Sequence, residues 1–277
     1  MFQPDLLKGR RILVTGGGSG LGRSMGRRFL ELGAELAICG RRAEVLAEAA
    51  AGFRRDIPGA KVSTHVGDIR TGEAVEALME EIWADGPLDI LVNNAAATFI
   101  AQTHKLSHRA ADAILAPTLH GALYCTLAAG RRWIDGGHRG VVLSILSTST
   151  ITGRAFTVPS AMAKSAVLAM TKSLAVEWGP RGVRLLAIAP GPFPTAGSSA
   201  QLGGGDRSGG GNSANPLGRS GQHGELADLA SFLVSDGGGY INGEMVVIDG
   251  GQHLRTSGAE DLIGWTDEQW AARRELR

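Results

Sequence analysis

The fold of this 277-residue chain is decided by one glycine-rich stretch, Ile12-Leu13-Val14-Thr15-Gly16-Gly17-Gly18-Ser19-Gly20-Leu21-Gly22. It joins an apolar, strand-like run to a helical pattern, with a Gly-xxx-Gly-x-Gly spacing at Gly16, Gly20 and Gly22. This spacing differs from the more common Gly-x-Gly-x-x-Gly. Glycines at a strand-to-helix turn let a phosphate approach free backbone N–H groups and the positive end of the helix dipole. The candidate cofactor-binding residues here are Gly16, Gly18, Ser19, Gly20, Leu21 and Gly22.

Outward from this turn, apolar runs typical of strands alternate with helical patterns. Strands are predicted over 12–14, 35–39, 62–66, 88–92, 141–145, 183–188 and 245–248. Helices are predicted over 21–32, 43–53, 73–83, 106–133, 161–178 and 225–234, and Pro117 is expected to break or kink the fourth. Apolar strands separated by helices predict an α/β fold, a doubly wound parallel sheet with helices on both faces. No change in composition divides the chain, so a single domain over 1–277 is expected.

The composition narrows the class of protein. Hydrophobic residues make up 43% of the chain, and the net charge of +1 comes from interspersed acids and bases, so no nucleic-acid partner is expected. Cys39 and Cys125 give no disulfide framework and no metal-ligand spacing, and both are expected to be small buried groups. The N-terminus lacks a signal pattern, and no apolar run approaches the ~20 residues of a membrane span. A cytoplasmic protein without a membrane or metal partner is therefore expected.

Two segments differ from the rest in composition. Residues 197–215 are rich in Gly, Ser and Asn and carry too little apolar surface to order themselves. They are expected to form a flexible loop over the substrate rather than a linker between domains. Residues 252–277 form a C-terminal extension that contains Trp265 and Trp270. An additional helix is expected there, packed on the body of the domain or on a partner subunit.

The residues after the second predicted strand bear on the choice of cofactor. Binding of NAD usually requires an acidic residue at this position, which holds the ribose 2′-hydroxyl. This chain has Gly40 followed by Arg41 and Arg42, and a guanidinium suits a 2′-phosphate. The pattern favours NADP(H), with the alternative that both arginines point into water.

Two further motifs follow later predicted strands, namely Asn93-Asn94-Ala95-Ala96 and Pro190-Gly191-Pro192. Together with the glycine stretch, and in this order, they make residues 8–253 resemble the short-chain dehydrogenase/reductase family. The resemblance implies a Rossmann-type fold with a seven-stranded parallel sheet. It also implies a homo-oligomer, either a dimer or a tetramer, and a small-molecule substrate.

The resemblance assigns cofactor contacts to residues outside the glycine stretch. Asp68, with Ile69 beside it, matches the position that contacts adenine. Asn94 and Ala95 belong to a motif that supports the sheet and lines the adenosine side. The stretch that meets the nicotinamide end is matched by Pro190, Gly191 and Thr195.

The usual catalytic motif of the family, Tyr-xxx-Lys, is altered in this chain. Lys164 is in register and is implied to bind the nicotinamide ribose, but Ser160 stands at the tyrosine position. Ser147 matches the catalytic serine, and Thr118 stands at the position of the helical asparagine. A phenol can be tuned toward neutral pH by a nearby ammonium, whereas an aliphatic hydroxyl is a far weaker acid. Simple carbonyl chemistry is therefore disfavoured.

One branch of the family, the 2,4-dienoyl-CoA reductases, also lacks this tyrosine. Its Val-Pro-Ser-xxx-Lys stretch is similar to the run from Val158 to Lys164 in this chain. The resemblance implies that NADPH gives a hydride to a conjugated carbon of an acyl-CoA thioester. The thioester oxygen then gathers negative charge, which hydrogen-bond donors must stabilise.

The donors of that branch are only partly matched. Ser147 and Ser160 are candidate hydrogen-bond donors to the thioester oxygen. The alternative for Ser147 is an ordinary polar residue at a strand end, and the alternative for Ser160 is a helix N-cap. The mitochondrial type has a tyrosine where this chain has Ser149, and an asparagine where it has His120. His120 is a candidate replacement proton donor, and a surface histidine without a chemical role is the alternative.

Three functions stay open on the sequence. The first is an NADPH-dependent enoyl- or dienoyl-thioester reductase. The second is a carbonyl reductase or alcohol dehydrogenase with an altered proton relay. The third is a non-catalytic NADP(H)-binding protein. The loss of the tyrosine and the asparagine favours this function, whereas the retained Lys164 and Ser147 argue against it.

Overall fold

A seven-stranded parallel sheet forms the centre of the molecule. The computed structural model describes residues 2–195, 215–255, 262 and 264–275. The sheet order is β3-β2-β1-β4-β5-β6-β7, and every pair of neighbours is parallel, which confirms the predicted fold class. The strands are β1 Arg11–Thr15, β2 Glu35–Gly40, β3 Val62–Val66, β4 Ile90–Asn93, β5 Gly140–Ile145, β6 Val183–Pro190 and β7 Met245–Ile248.

Helices cover both faces of this sheet. They are α1 Gly20–Glu31, α2 Ala43–Asp56, α3 Gly72–Ala84, α4 His108–Leu115, α5 Gly121–Gly136, α6 Ser149–Thr152, α7 Val158–Trp178, α8 His223–Val234 and α9 Asp267–Glu275. Successive side chains of a strand point to opposite faces. Ile12 and Val14 of β1 thus pack in the core under α1, α2 and α8, and Leu13 packs in the core under α3, α5 and α7.

The predicted break at Pro117 is present as a wide turn between α4 and α5. The turn spans Ala116–His120, and the N–H of Gly121 donates to the carbonyl of Ala116, five residues earlier. A proline lacks the N–H that a regular helix needs, so the helix widens over this turn and then continues as α5. The turn therefore sets the direction in which α5 leaves the site.

The helical run from His108 to Gly136 is, in the described part of the chain, the one run long and apolar enough to span a membrane. A helix was predicted over 106–133, but no run apolar enough to span a membrane was expected there. Half of its apolar window is buried inside the fold, which is typical of a core helix. The cytoplasmic location stays a prediction.

The predictions for the two segments of unusual composition differ in what the structure shows of them. Residues 196–214 lie outside the described residues, so the predicted loop over 197–215 stays a prediction. The expected C-terminal helix is present as α9, and the ring centroids of Trp265 and Trp270 lie 5.2 Å apart. Most described side chains of this tail are exposed in the single chain.

The glycine turn owes its shape to the absence of side chains. Gly16 has a φ of +67°, which L-residues rarely adopt. A Cβ added to Gly22 would lie 2.5 Å from Nδ2 of Asn94 and 2.6 Å from the carbonyl oxygen of Gly16. Helix α1 can therefore approach the ends of β1 and β4 only because residue 22 is glycine.

This contact predicts the effect of Gly22→Ala. We expect the variant to lose about 1–3 kcal/mol of unfolding free energy, because the added carbon meets a backbone carbonyl that cannot move away. Gly224→Ala in α8 is the matched control, since nothing lies within 4 Å of its added Cβ. Urea denaturation of both variants measures the effect. Equal stability of the two would contradict the close approach.

Candidate active site

The site lies at the carboxyl edge of the sheet, between the loops that follow β1 and β4. Strand β1 pairs with β2 on one side and with β4 on the other, so these loops leave in opposite directions and open a crevice. A cavity of about 350 Å³ fills this crevice. Nine predicted cofactor-binding residues line it, namely Gly16, Gly18, Ser19, Arg41, Arg42, Asp68, Ile69, Asn94 and Ala95.

The other predicted cofactor-binding residues lie outside this lining. Gly20, Leu21 and Gly22 form the first turn of α1, and Pro190 ends β6. A Cβ added to Gly20 would lie 3.4 Å from Cγ2 of Thr195, so Thr195 lies against the start of α1. A Cβ added to Gly191 would lie 2.8 Å from Cα of Asp249, so the packing of the turn after β7 also requires a glycine there.

Asn94 fastens the glycine turn to the end of β4. Its Nδ2 donates to the carbonyl oxygen of Thr15 at 2.9 Å. The backbone N–H groups of Asn94 and Ala95 each donate to Oγ1 of Thr15 at 3.0 Å. The predicted supporting role of this motif is thus visible, whereas the role of Thr15 was missed because a threonine at a strand end carries no distinctive signal.

The basic end of the cavity lies beside the end of β2. Arg41 and Arg42 are exposed at the cavity wall, and Arg42 occupies the N-cap position of α2. Within the described ranges, neither guanidinium has a carboxylate within ion-pair distance. Both positive charges are therefore available to an anion in the cavity.

Arg70 is a third arginine in the cavity wall, and the sequence analysis missed it. Its Nε donates to both carboxylate oxygens of Asp68, at 2.9 and 2.8 Å. These hydrogen bonds hold the pKa of Asp68 below its usual value. The carboxylate is thus ionised and already paired, so its negative charge is compensated at the cavity. The Asp-x-Arg spacing was the available signal.

Cys39 lines the same cavity, and its thiol is buried. Burial raises the pKa of Cys39 to about 12. Cys125 in α5 is also buried, and burial raises the pKa of its thiol well above the usual value. Both cysteines therefore pack as small apolar groups, as predicted.

Lys164 is the buried cation of the site. It lies in α7, is 8% exposed, and its Nζ donates to the carbonyl oxygen of Ile145 at 2.5 Å. Burial lowers the pKa of Lys164 to about 8. The bond to Ile145 attaches the ammonium to the end of β5, directly before the stretch that carries Ser147.

Ser147 and Ser160 are both half-buried. Ser147 follows β5, and its Oγ is 3.2 Å from Oγ of Ser149. Ser160 is the third residue of α7, one turn before Lys164, and Thr157 occupies the N-cap position. The alternative that Ser160 is a helix N-cap is therefore wrong. Helix α7 begins earlier than predicted because Pro159 fits its first turn.

His120 and Thr118 both belong to the wide turn, but their side chains lie in different environments. His120 is exposed, and its ring centroid lies 5.9 Å from that of Tyr124. In the described residues it has no hydrogen bond to Ser147 or Lys164. Thr118 is buried, and its Oγ1 accepts from the N–H of Ala97 at 3.0 Å. Thr118 thus holds the loop after β4. The role of His120 as a proton donor stays a prediction.

Known proteins share this arrangement over nearly the whole chain. The family model described as enoyl-(acyl carrier protein) reductase matches residues 16–253. The chain belongs to the short-chain dehydrogenase/reductase family. A probable 2,4-dienoyl-CoA reductase of Bacillus subtilis is 38% identical to it, over 88% of this chain and 97% of that protein. The family uses a nicotinamide cofactor, and the chain is an oxidoreductase of this family.

Two solved structures extend this likeness to other activities. A putative short-chain alcohol dehydrogenase from Sinorhizobium meliloti has a TM-score of 0.84 and 33% identity, covering 91% of this chain and 99% of that one. A gluconate 5-dehydrogenase from Burkholderia cenocepacia, in complex with NADP and tartrate, has a TM-score of 0.84 and 31% identity with the same coverage. The family fold thus accommodates more than one reaction.

The buried ammonium predicts a pH-dependent stability. The pKa of Lys164 falls from 10.5 to about 8, so between these pH values the unfolded chain holds a proton that the folded chain has lost. The contribution of Lys164 to stability therefore rises between pH 8 and 10.5, and its full cost is present below pH 8. We expect cofactor-free Lys164→Met to be more stable than the wild type at pH 7 by about 1–3 kcal/mol.

Denaturation with urea at several pH values measures this difference. It should shrink toward zero as the pH approaches 10.5. Lys172→Met is the matched control, since Lys172 is exposed on the same helix and its replacement should change stability little. A Lys164→Met variant that is less stable than the wild type at every pH would contradict the cost of burial.

Proposed function

We propose that this protein is an NADPH-dependent reductase of conjugated acyl-CoA thioesters, of the enoyl or 2,4-dienoyl type. The observation that carries the proposal is the position of its two tyrosines. Tyr240 is fully exposed and lines a cavity at the amino-terminal edge of the sheet, with Arg10 and Arg184. Tyr124 packs against the hydrophobic core beside His120. In the described part of the chain neither phenol is hydrogen-bonded to Ser147 or Lys164, so we assign neither tyrosine the protonation of an alkoxide there.

Conjugate reduction fits a site of this kind. When bound, NADPH supplies the hydride to a conjugated carbon, and the electrons of the substrate move onto the thioester oxygen. That oxygen needs hydrogen-bond donors rather than a strong acid, and a serine hydroxyl is sufficient for this task. We assign the oxygen contact to Ser147, with Ser160 as a second donor on α7. A solvent water molecule then gives a proton to a carbon of the resulting dienolate or enolate, and the hydroxide that remains is neutralised by the solvent.

The cavity fits the phosphorylated adenosine end of NADPH. Three guanidinium groups, those of Arg41, Arg42 and Arg70, lie in its wall, and the carboxylate of Asp68 is compensated by Arg70. The glycine turn provides close backbone approach and the N-terminus of α1 for the diphosphate. Lys164 is assigned to the nicotinamide ribose. The NADP in the related gluconate 5-dehydrogenase supports the same choice of cofactor.

The arginines predict the cofactor preference. We expect Arg41→Ala and Arg42→Ala each to raise the KM for NADPH about 10- to 100-fold, because each removes a charge-assisted contact to the 2′-phosphate. The KM for NADH should change less than about twofold. Arg55→Ala, at the exposed far end of α2, is the control. Steady-state kinetics with both cofactors checks this, and equal changes for NADPH and NADH would exclude a 2′-phosphate site.

The acceptor is tested by following NADPH oxidation with a 2,4-dienoyl-CoA, an enoyl-CoA and a panel of simple ketones. We expect turnover of the thioesters, with the ketones at least about 100-fold poorer in kcat/KM, because only conjugate reduction avoids protonation of an alkoxide. Ser147→Ala should lower turnover of the thioester about 100-fold through loss of an oxygen donor.

The second candidate function is carbonyl reduction, which the gluconate and alcohol dehydrogenases among its relatives favour. Turnover of ketones alone would establish that function and exclude the proposed one. Binding of NADPH without turnover of any acceptor would instead indicate a non-catalytic protein.

A further inference from the structure

We propose that Ser149 is a positioning residue that directs the hydroxyl hydrogen of Ser147 toward the substrate oxygen. The inference rests on the proposed function and deepens it, since it explains how a serine can serve as the oxygen donor. It starts from the contacts between two residues at the end of β5.

Ser149 gives two hydrogen bonds to the same oxygen atom. Its Oγ–H donates to Oγ of Ser147 at 3.2 Å, and its backbone N–H donates to that oxygen at 3.3 Å. Ser149 is 8% exposed and begins the short helix α6, whereas Ser147 is half-buried. Ser149 therefore acts from the protein side of Ser147, and Ser147 is the more accessible of the pair.

The chemistry of a hydroxyl group determines what this contact does. A serine hydroxyl has one hydrogen and two lone pairs, and here both lone pairs are engaged by Ser149. In the part of the chain that the structure describes, the Ser147 hydroxyl donates to no protein acceptor. Its hydrogen is thus left for an acceptor in the crevice, and a hydroxyl that accepts two hydrogen bonds is a stronger donor.

The surrounding turn keeps this arrangement in place. The carbonyl oxygen of Ser147 accepts from the backbone N–H of Thr150 at 3.1 Å and from its Oγ1 at 2.8 Å. With its carbonyl occupied, Ser147 is held at both its backbone and its side chain. A donor that is already oriented stabilises a developing oxyanion without reorganisation.

The test is a double-mutant cycle with Ser147→Ala, Ser149→Ala and the double variant, assayed with NADPH and a 2,4-dienoyl-CoA. We expect Ser149→Ala to lower kcat about tenfold and to leave the KM for NADPH unchanged, because the effect passes through the oxygen donor alone. In the Ser147→Ala background, Ser149→Ala should have no further effect on kcat. Equal losses in both backgrounds would overturn the proposal.

Two further variants separate positioning from folding. Ser149→Thr keeps the hydroxyl and should restore kcat to within about threefold of the wild type. Thr152→Ala, on an exposed residue of the same short helix, should leave kcat and the melting temperature unchanged. A loss of kcat in Ser149→Thr as large as in Ser149→Ala would also overturn the proposal.

A vibrational measurement reports the hydrogen bond directly, without turnover. The carbonyl stretch of a dienoyl thioester bound with NADP⁺ should lie at lower frequency in the wild type than in Ser147→Ala, and Ser149→Ala should lie between them. An unchanged stretch in Ser149→Ala would contradict the inference while leaving the proposed function standing.

A failure of the proposed function has a different signature. If the wild type reduces ketones but not the thioester, the proposed function is wrong, and the same cycle on the ketone decides the role of Ser149. If the wild type acts on neither class of acceptor, both proposals are overturned.

Discussion

The attachment of the glycine turn to the end of β4 is the constraint on which the rest of the site depends. The amide of Asn94 holds the carbonyl of Thr15, and Gly22 lets α1 pass close enough for that bond to form. Thr15, Gly16 and Asn94 all line the cavity, so this contact joins two parts of its wall beside the start of α1.

Much of the fold could be predicted because its five inner strands are buried on both faces, and the two edge strands still have clear limits. The limits of β3 and β7 are those predicted, since each is a short apolar or β-branched run bounded by breaks in the pattern. Helix ends were less predictable. Helix α7 begins at Val158 rather than 161, and the wide turn after α4 depends on how Pro117 is accommodated, which hydrophobic periodicity does not encode.

The site was predictable where it rests on the backbone and less so where it rests on single side chains. The cavity contains most of the residues expected from the glycine turn and the strand ends. The exposure of His120 and the buried contact of Thr118 depend on the rotation of one helical turn. A position in a sequence motif does not specify that rotation. Arg70 was missed because its importance comes from its contact with Asp68, and the short Asp-x-Arg spacing that signals this contact was not used.

The two cysteines have a practical consequence. Both thiols are buried, and with their raised pKa values almost none of either is thiolate near neutral pH. The native chain therefore offers thiol-directed alkylating reagents no ready thiolate. A cysteine introduced on the surface would be the single reactive thiol of the molecule. A spectroscopic label could thus be attached to any chosen segment of the wild-type background, with neither native cysteine replaced.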